Sequence, residues 1–345
     1  MKLIKTEDAI GHVLCHDITQ IIKGVTKDAV FRKGHVVTQE DIPVLLSVGK
    51  EHLYVWEKDE SMLHENEAAE VLYEICAREN MHGSEIKEGK IELIADIDGI
   101  LKVDREKLKA INSLGEMMIA SRHGDFPIRK GEKIAGTRVI PLVISKEKME
   151  KAKEIAKCEP IFQILPYHLK TAGVITTGSE VYKGIIEDTF TPVIEEKLSE
   201  YNVKIISHVL CPDNPDMVTG EIEKMLEKDI DIIICTGGMS VDPDDQTPLA
   251  IKNAGTDIVT YGAPVLPGAM FLLGYKKHTN DKVTPIMGLP GCVMYAKRTI
   301  FDLVLGRIVA GDIITRDDLD SLGEGGLCLN CPKCTFPNCG FGKGK

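Results

Sequence analysis

At 345 residues the chain exceeds what one ordinary hydrophobic core organises, and two or three domains are expected. A net charge of −11 offers no general Lys/Arg excess to a phosphate backbone, and a single tryptophan gives little for base stacking, so no nucleic-acid partner is expected. No apolar run is long enough to span a bilayer, and the N-terminal MKLIKTEDAIGHVLCHD lacks the apolar stretch of a leader; a cytoplasmic protein with no membrane partner is expected, its ten cysteines reduced or metal-bound.

Residues 1–60 read as an α+β segment. In FRKGHVVTQEDIPVLLSVGKEHLYVW a strand and a Lys-Gly turn lead to a helix after Thr38 and then to another strand. Residues 61–160 read as a helix plus a β-rich domain and a linker helix. An amphipathic helix falls within 63–81, glycine-punctuated β segments fill 90–144 (KIELIADIDGILKV, FPIRKGEKIAGTRVIPLVI), and a charged helix occupies 146–157.

From residue 168 to 311 the pattern changes to the strand–helix alternation that builds a mostly parallel sheet. AGVITT is a short buried strand. TFTPVIEEKLSEY sets Phe190, Val193, Ile194 and Leu198 on one helical face, and VKIISHVL is a strand again. PDMVTGEIEKMLEKD repeats the helical stripe with Met217, Val218, Ile222, Met225 and Leu226, and IDIIIC is the most buried-looking strand of the chain. TPLAIKNAG reads as a helix with Pro248 in its first turn and Gly255 as its stop. MFLLGYKKHTNDKVTPIMGL gives two strands around a polar turn, and CVMYAKRTIFDLVLGRIVA closes the domain as one long apolar helix. The expected fold class is α/β, preceded by a smaller β-rich N-terminal region.

Ligands of open α/β sheets sit beyond the carboxyl ends of the strands, so the strand-end loops carry the chemistry. The third strand runs into Thr236-Gly237-Gly238, then Ser240 and the acids Asp242, Asp244 and Asp245, before Thr247 and Pro248 open the next helix. Two readings fit. Bare glycine backbone lets amides approach ligand oxygens while Asp244 and Asp245 hold Mg²⁺ against a phosphate. Alternatively, the glycines serve a tight turn at positive φ and an aspartate caps the helix. The first strand ends at Gly178-Ser179, followed by Glu180 and Asp188, and MGLPGCV ends a later strand with Gly288, Pro290 and Gly291. If the first and third strands are neighbours, Glu180, Asp188 and Asp245 converge at one edge, although Asp188 also suits a helix N-cap before Thr189. Three glycine-bearing loops together suggest a site for an elongated phosphorylated ligand. Lys183 and Lys297 are candidate anion contacts, and none of the ten histidines is assigned to catalysis.

TTGSEV…GIIEDTF, TGGMSVDPDDQTP and GLPG, in that order, resemble the molybdopterin-binding domain shared by molybdopterin adenylyltransferases, molybdopterin molybdenumtransferases and the competence-damage-inducible family that includes nicotinamide-nucleotide hydrolases. The resemblance implies a three-layer domain over 168–311. Met239-Ser240-Val241 and GLPG are similar to molybdenumtransferases, as is the 1–60 segment, whereas Asp245-Gln246-Thr247-Pro248 is similar to the adenylyltransferases. The chain departs from the molybdenumtransferase pattern in lacking the Ser-Ala-Met-Asp-Gly-Tyr-Ala signature, in Asp242, in Phe190, and in Cys292-Val293 after GLPG.

The implied ligand is molybdopterin or its adenylylated form. Its phosphate would rest on Gly237 and Gly238, while Asp245, with Asp188 or Glu180, would hold Mg²⁺ and carry the phosphoryl chemistry. The resemblance therefore implies a Mg²⁺-dependent molybdopterin transferase of molybdenum-cofactor biosynthesis, in a homo-oligomer, with a molybdoenzyme or another biosynthetic protein as partner. Two alternatives stand beside it: a non-enzymatic molybdopterin carrier or sensor, and a competence-type nucleotide hydrolase.

The last segment, 324–345, ends GGLCLNCPKCTFPNCGFGKGK. Cys328, Cys331, Cys334 and Cys339 fall close enough to wrap one ion, as zinc or an iron–sulfur cluster; the other reading is a redox-labile tail. Of the remaining cysteines, most are expected to be small buried hydrophobes, with Cys292 set apart by its position beside the third loop.

Overall fold

The computed structural model describes residues 2–22, 26–55, 60–157, 159–240 and 246–344. Its contacts divide the chain into two units: Met1–Ile97, Val103–Arg122 and Lys130–Gln163 form the first, and Asp98–Lys102, His123–Arg129 and Ile164–Lys345 the second.

In the first unit, strand Lys2–Lys5 pairs antiparallel with His52–Val55, and Ile18–Ile22 pairs with Thr26–Phe31. Helix Asp41–Ser47 covers a small core of Ala9, Leu14, Ile18, Val37, Leu45 and Leu53. A four-stranded sheet in the order Met81–Gly83, Lys90–Ala95, Lys133–Val139, Met117–Ser121 forms its second half. Helix Glu65–Cys76 buries Ala68, Ala69, Leu72 and Cys76, a stripe at steps of three and four that repeats along one helical face. The charged Lys146–Ile155 helix follows where the sequence predicts one, and it buries only Met149 and Ala152.

The second unit is built on a six-stranded sheet. Its order is Lys204–Cys211, Thr171–Thr177, Ile232–Thr236, Val283–Leu289, Leu272–Lys277 and Asp257–Tyr261. The first four strands run parallel, and the last two add as antiparallel neighbours. Alternation along the central strand explains the layers. Ile232 and Ile234 enter one apolar cluster with Ile194, Leu198 and Phe301, whereas Ile233 and Cys235 enter another with Val218, Ile222 and Ile251. Helices Phe190–Ser199 and Ile300–Val309 therefore cover one face, and Pro215–Glu227 and Thr247–Asn253 the other. The fold is α/β with a mostly parallel sheet in three layers, and a β-rich N-terminal region precedes it.

One sequence expectation is corrected. The stretch 292–310 is two elements: a 3₁₀ turn over Gly291–Met294 and a helix over Ile300–Val309. The break comes from a capping box that the apolar pattern hid. The Thr299 hydroxyl accepts from the Phe301 amide at 3.2 Å, and Asp302 Oδ2 accepts from the Thr299 amide at 2.7 Å. Asp302 can lie in the core because Lys197 and Arg298 donate to its Oδ1 at 2.6 and 2.8 Å.

Candidate functional site

The parallel pairing puts the first and third strands side by side, Thr176 opposite Thr236, with Leu289 opposite Thr236 on the other flank. Three strand ends thus lie adjacent at one edge of the sheet, and each continues into a glycine-bearing loop.

At the central loop, Gly237 and Gly238 both take positive φ, +81° and +55°. Space as well as φ demands glycine here. A Cβ on Gly237 would overlap the Thr177 carbonyl oxygen, and one on Gly238 would lie 2.8 Å from Thr247 Oγ1. The turn is tied down from its far side, where the Thr247 hydroxyl donates to the Gly237 carbonyl at 2.9 Å and the Thr247 amide to the Gly238 carbonyl at 3.2 Å. Further on, the Tyr261 hydroxyl donates to the Met239 carbonyl at 3.0 Å and to the Ser240 carbonyl at 3.4 Å. The helix after the loop, Thr247–Asn253, spans only seven residues, so its dipole is short. Asp242, Asp244 and Asp245 lie outside the described residues.

The first loop is arranged around a different acid. Gly178, at φ +141°, leads into the short helix Ser179–Tyr182. Asp213 Oδ2 accepts both the Ser179 amide at 2.8 Å and its hydroxyl at 3.1 Å. Glu180 stands on this helix, exposed to solvent.

Asp188 is held on all sides. Its Oδ1 accepts the Phe190 and Thr191 amides at 2.8 and 3.2 Å, so it caps the Phe190–Ser199 helix. Its Oδ2 accepts the hydroxyls of Thr176 and Thr191 at 3.0 and 2.6 Å and meets His208 Nε2 at 3.0 Å. Burial pushes this carboxyl up, but the Thr191 hydroxyl, the two amides and Thr176 together outweigh it and hold Asp188 below the ordinary aspartate range. His208 is a partner the sequence did not mark. It sits mid-strand with no acid or second histidine at a readable spacing, and only the strand pairing brings it to Asp188.

The third loop is looser. Gly288 has no room for a side chain, since a Cβ there would come within 2.6 Å of Met239, whereas Gly291 faces open space. Thr189 Oγ1 reaches Met294 Sδ at 2.8 Å and links this loop to the segment before the capped helix. Thr236 Oγ1, fully buried at the end of the central strand, has no hydrogen-bond partner among the described residues. Cys292 is half-buried beside this loop. Cys15, Cys76, Cys211 and Cys235 are buried free thiols; burial pushes Cys211 up to about 11 and Cys235 to about 12, so both stay protonated and inert. Cys158 lies outside the described residues.

Among the described residues no group of three or more His, Cys, Asp or Glu is arranged to hold an ion. On the Mg²⁺ side, Asp188 is committed to its cap and Glu180 is turned to solvent. On the tail side, the four cysteines are not gathered as a metal-holding group among the described residues. Cys328 and Cys339 lie partly buried against the apolar cluster, while Cys331 and Cys334 are exposed. Lys297, a candidate anion contact, instead donates to the carbonyls of Cys331 and Pro332 at 2.9 and 3.0 Å. Phe341 is 5% exposed, and the Cys328 amide donates to the Leu266 carbonyl at 2.8 Å.

Comparison with known proteins follows the same division. Residues 3–57 match a family described as a domain of unknown function, and residues 173–310 match one described as a probable molybdopterin binding domain. CinA-like proteins of Mycobacterium marinum (34% identity over 76 residues, 22% of this chain and 18% of theirs) and Mycobacterium tuberculosis (33% over 89 residues, 26% and 21%) are similar in sequence. The chain spans about a fifth of the length of the curated relatives it matches. A solved tungsten cofactor synthesizing protein MoaB of Pyrococcus furiosus aligns at 18% identity over 42% of this chain and 97% of that one, with a TM-score of 0.35. Among the described residues no helix is long and apolar enough to cross a membrane. Residues 173–310 are thus similar to the family described as a probable molybdopterin binding domain.

Proposed function

We propose that the 168–311 domain seats the phosphate end of a molybdopterin-type ligand, and that the chain acts in molybdenum-cofactor biosynthesis as a Mg²⁺-dependent molybdopterin transferase, at the adenylylated or the metal-insertion step. The observation that supports this reading is the adjacency of three glycine-bearing strand ends, with Gly237 and Gly238 turned to positive φ between them. In this reading Thr236, Gly178, Ser179, Ser240, Thr247, Gly288, Pro290 and Gly291 shape the ligand site. A divalent ion would neutralise phosphoryl charge, and Asp245, with Asp244, is the residue to hold it. Asp188 then acts by fixing the helix start and not as a metal ligand. Zinc or a cluster on the tail thiols forms no part of this reading, and no step passes through them. A homo-oligomer and a biosynthetic or molybdoenzyme partner belong to the same reading.

The test is direct. Purified protein with Mg²⁺ and molybdate is expected to consume adenylylated molybdopterin, and Asp245→Ala to abolish both turnover and Mg²⁺ dependence. Tight binding without turnover would replace the transferase by a carrier, and absence of binding removes the reading. The CinA-like sequence relatives favour one competing activity, a competence-type nucleotide hydrolase. Phosphate release from a panel of pyridine nucleotides and ADP-ribose with Mg²⁺ or Co²⁺ separates the two.

A further inference from the structure

The first unit holds a cavity of its own, about 1140 Å³, walled by segments that lie far apart in sequence. Its lining includes His16, Arg32, Lys33, Tyr54, Glu65 and Arg138.

Glu65 opens helix Glu65–Cys76 and is fixed from both sides. His64 caps the helix, its Nδ1 accepting the Asn66 amide at 3.2 Å while Nε2 meets the Cys15 carbonyl at 2.8 Å. Those two partners require the neutral Nε2–H tautomer. Asn66 Oδ1 in turn accepts the Gly89 amide at 3.0 Å, and Gly89, at φ +68°, lies so close over Glu65 that a Cβ would stand 3.0 Å from the Glu65 Cβ. Glu65 is thus half-buried on a fixed stretch of backbone, and no ion pair among the described residues reaches its carboxylate. Burial raises its carboxyl, with Arg138 the leading opposing influence. Nearby, the buried Nδ1 of His16 has no hydrogen-bond partner among the described residues. Five cationic side chains share the wall with as many further carboxylates; of the cations, Arg32 and Lys33 are exposed, and Arg138 is 48% exposed with Glu88 at 3.9 Å. Tyr54, 44% exposed, offers a ring face.

A half-buried carboxylate on a cavity wall is complementary to two parallel N–H donors. Guanine and pterin rings present that amino–imino edge; adenine pairs its amino donor with a ring acceptor and does not. Guanidinium and ammonium groups nearby suit a phosphate, and an aromatic face suits a flat ring. We propose that this cavity binds a phosphorylated heterocycle with an amino–imino edge, of the guanine or pterin class, the edge on Glu65 and the phosphate on Arg32, Lys33 and Arg138. The site is independent of the sheet-end reading.

Calorimetric titration of the full chain tests it with four probes: guanosine 5′-monophosphate, neopterin triphosphate, adenosine 5′-monophosphate and inorganic pyrophosphate. The guanine or the pterin probe is expected to bind at least tenfold tighter than the adenine one, the tighter of the two naming the source. Hydrogen exchange should slow in peptides over 62–92. Glu65→Gln is expected to weaken the cyclic amino–imino probe at least tenfold and to leave pyrophosphate unchanged, and Arg138→Gln to weaken every phosphorylated probe. If Glu65→Gln lowers Tm, the exposed Arg138→Gln decides. Equal affinity for the adenine and guanine probes, protection confined to 236–240, indifference to Arg138→Gln, or no binding by any probe to the folded chain would each overturn the proposal.

Discussion

The Gly-Gly loop at 236–240 and the cysteine tail at 324–345 are the two most conspicuous stretches of this sequence, and they are glycine-rich for comparable reasons. Gly237 is glycine because the carbonyl of Thr177 occupies the space beside it. Gly326 and Gly342 are glycine because Pro264 O and Leu303 Cδ2, respectively, occupy theirs. Both segments are therefore moulded against parts of the chain remote in sequence. They differ in what is left over. The loop lies at the end of a parallel sheet with the buried Thr236 hydroxyl unmet among the described residues, whereas the tail turns two of its thiols onto the core. Conspicuous composition marks a tightly packed place, and the remainder after packing is what can become a site.

The sharpest way to break that comparison is at Phe341. Its ring is 5% exposed and stands 6.3 Å from Phe336, which itself lies 5.9 Å from Phe126. Phe341→Ala is expected to cost about 3–5 kcal/mol in urea unfolding with a chelator present. Cys331→Ser and Cys334→Ser, at exposed positions, should change stability by no more than about 0.5 kcal/mol. Should the two serine variants prove as damaging as Phe341→Ala, or the chelator itself unfold the tail, a metal staple and not packing holds it.

Next in size is Gly237→Ala. A left-handed backbone costs an L-residue about 1–2 kcal/mol, and the added methyl group must also displace the Thr177 carbonyl. A loss of about 3 kcal/mol or more is expected from overpacking together with strain. A variant as stable as the parent would mean the loop relaxes freely and does not hold a preformed ligand surface.

The strand Ile232–Thr236, the helix stripes at Ile194, Leu198 and Val218, Ile222, and the glycine loops could all be read, because periodicity and turn chemistry are local. The capping box at Thr299 was hidden within an apolar run. His208 could not be paired with Asp188, because their contact depends on which strand lies at the edge. The wall from His16 to Arg138 left no motif at all, since it assembles from side chains of separate hairpins and a helix start. The tail marks the limit of spacing: it shows that four thiols can meet, and not whether they do.

Asp188 offers a smaller, pH-dependent test. Its folded-state pKa lies below the unfolded value, so it contributes stability that is present above the unfolded aspartate pKa of about 3.9 and is lost as pH falls through the folded value. Asp188→Asn should therefore flatten the acid limb of the stability curve, and Asp188→Ala should cost about 1 kcal/mol near neutrality through the lost cap. If an acid limb as steep as the parent's survived Asp188→Asn, the carboxylate's hydrogen bonds would contribute no net stabilisation.

The smallest expected change in stability belongs to Gly291, and it separates packing from function most cleanly. Nothing lies within 4 Å of a Cβ built there, and its φ is not in the left-handed region. Gly291→Val should therefore move stability by no more than about 0.5 kcal/mol, in contrast to Gly237. Under the proposed function the same side chain stands where the third loop would approach the ligand, so affinity for molybdopterin should fall at least tenfold with Tm unchanged. An unaltered affinity would remove the third loop from the site and confine binding to the loops at Gly178 and Gly237, a surface better matched to a single phosphate than to an elongated ligand.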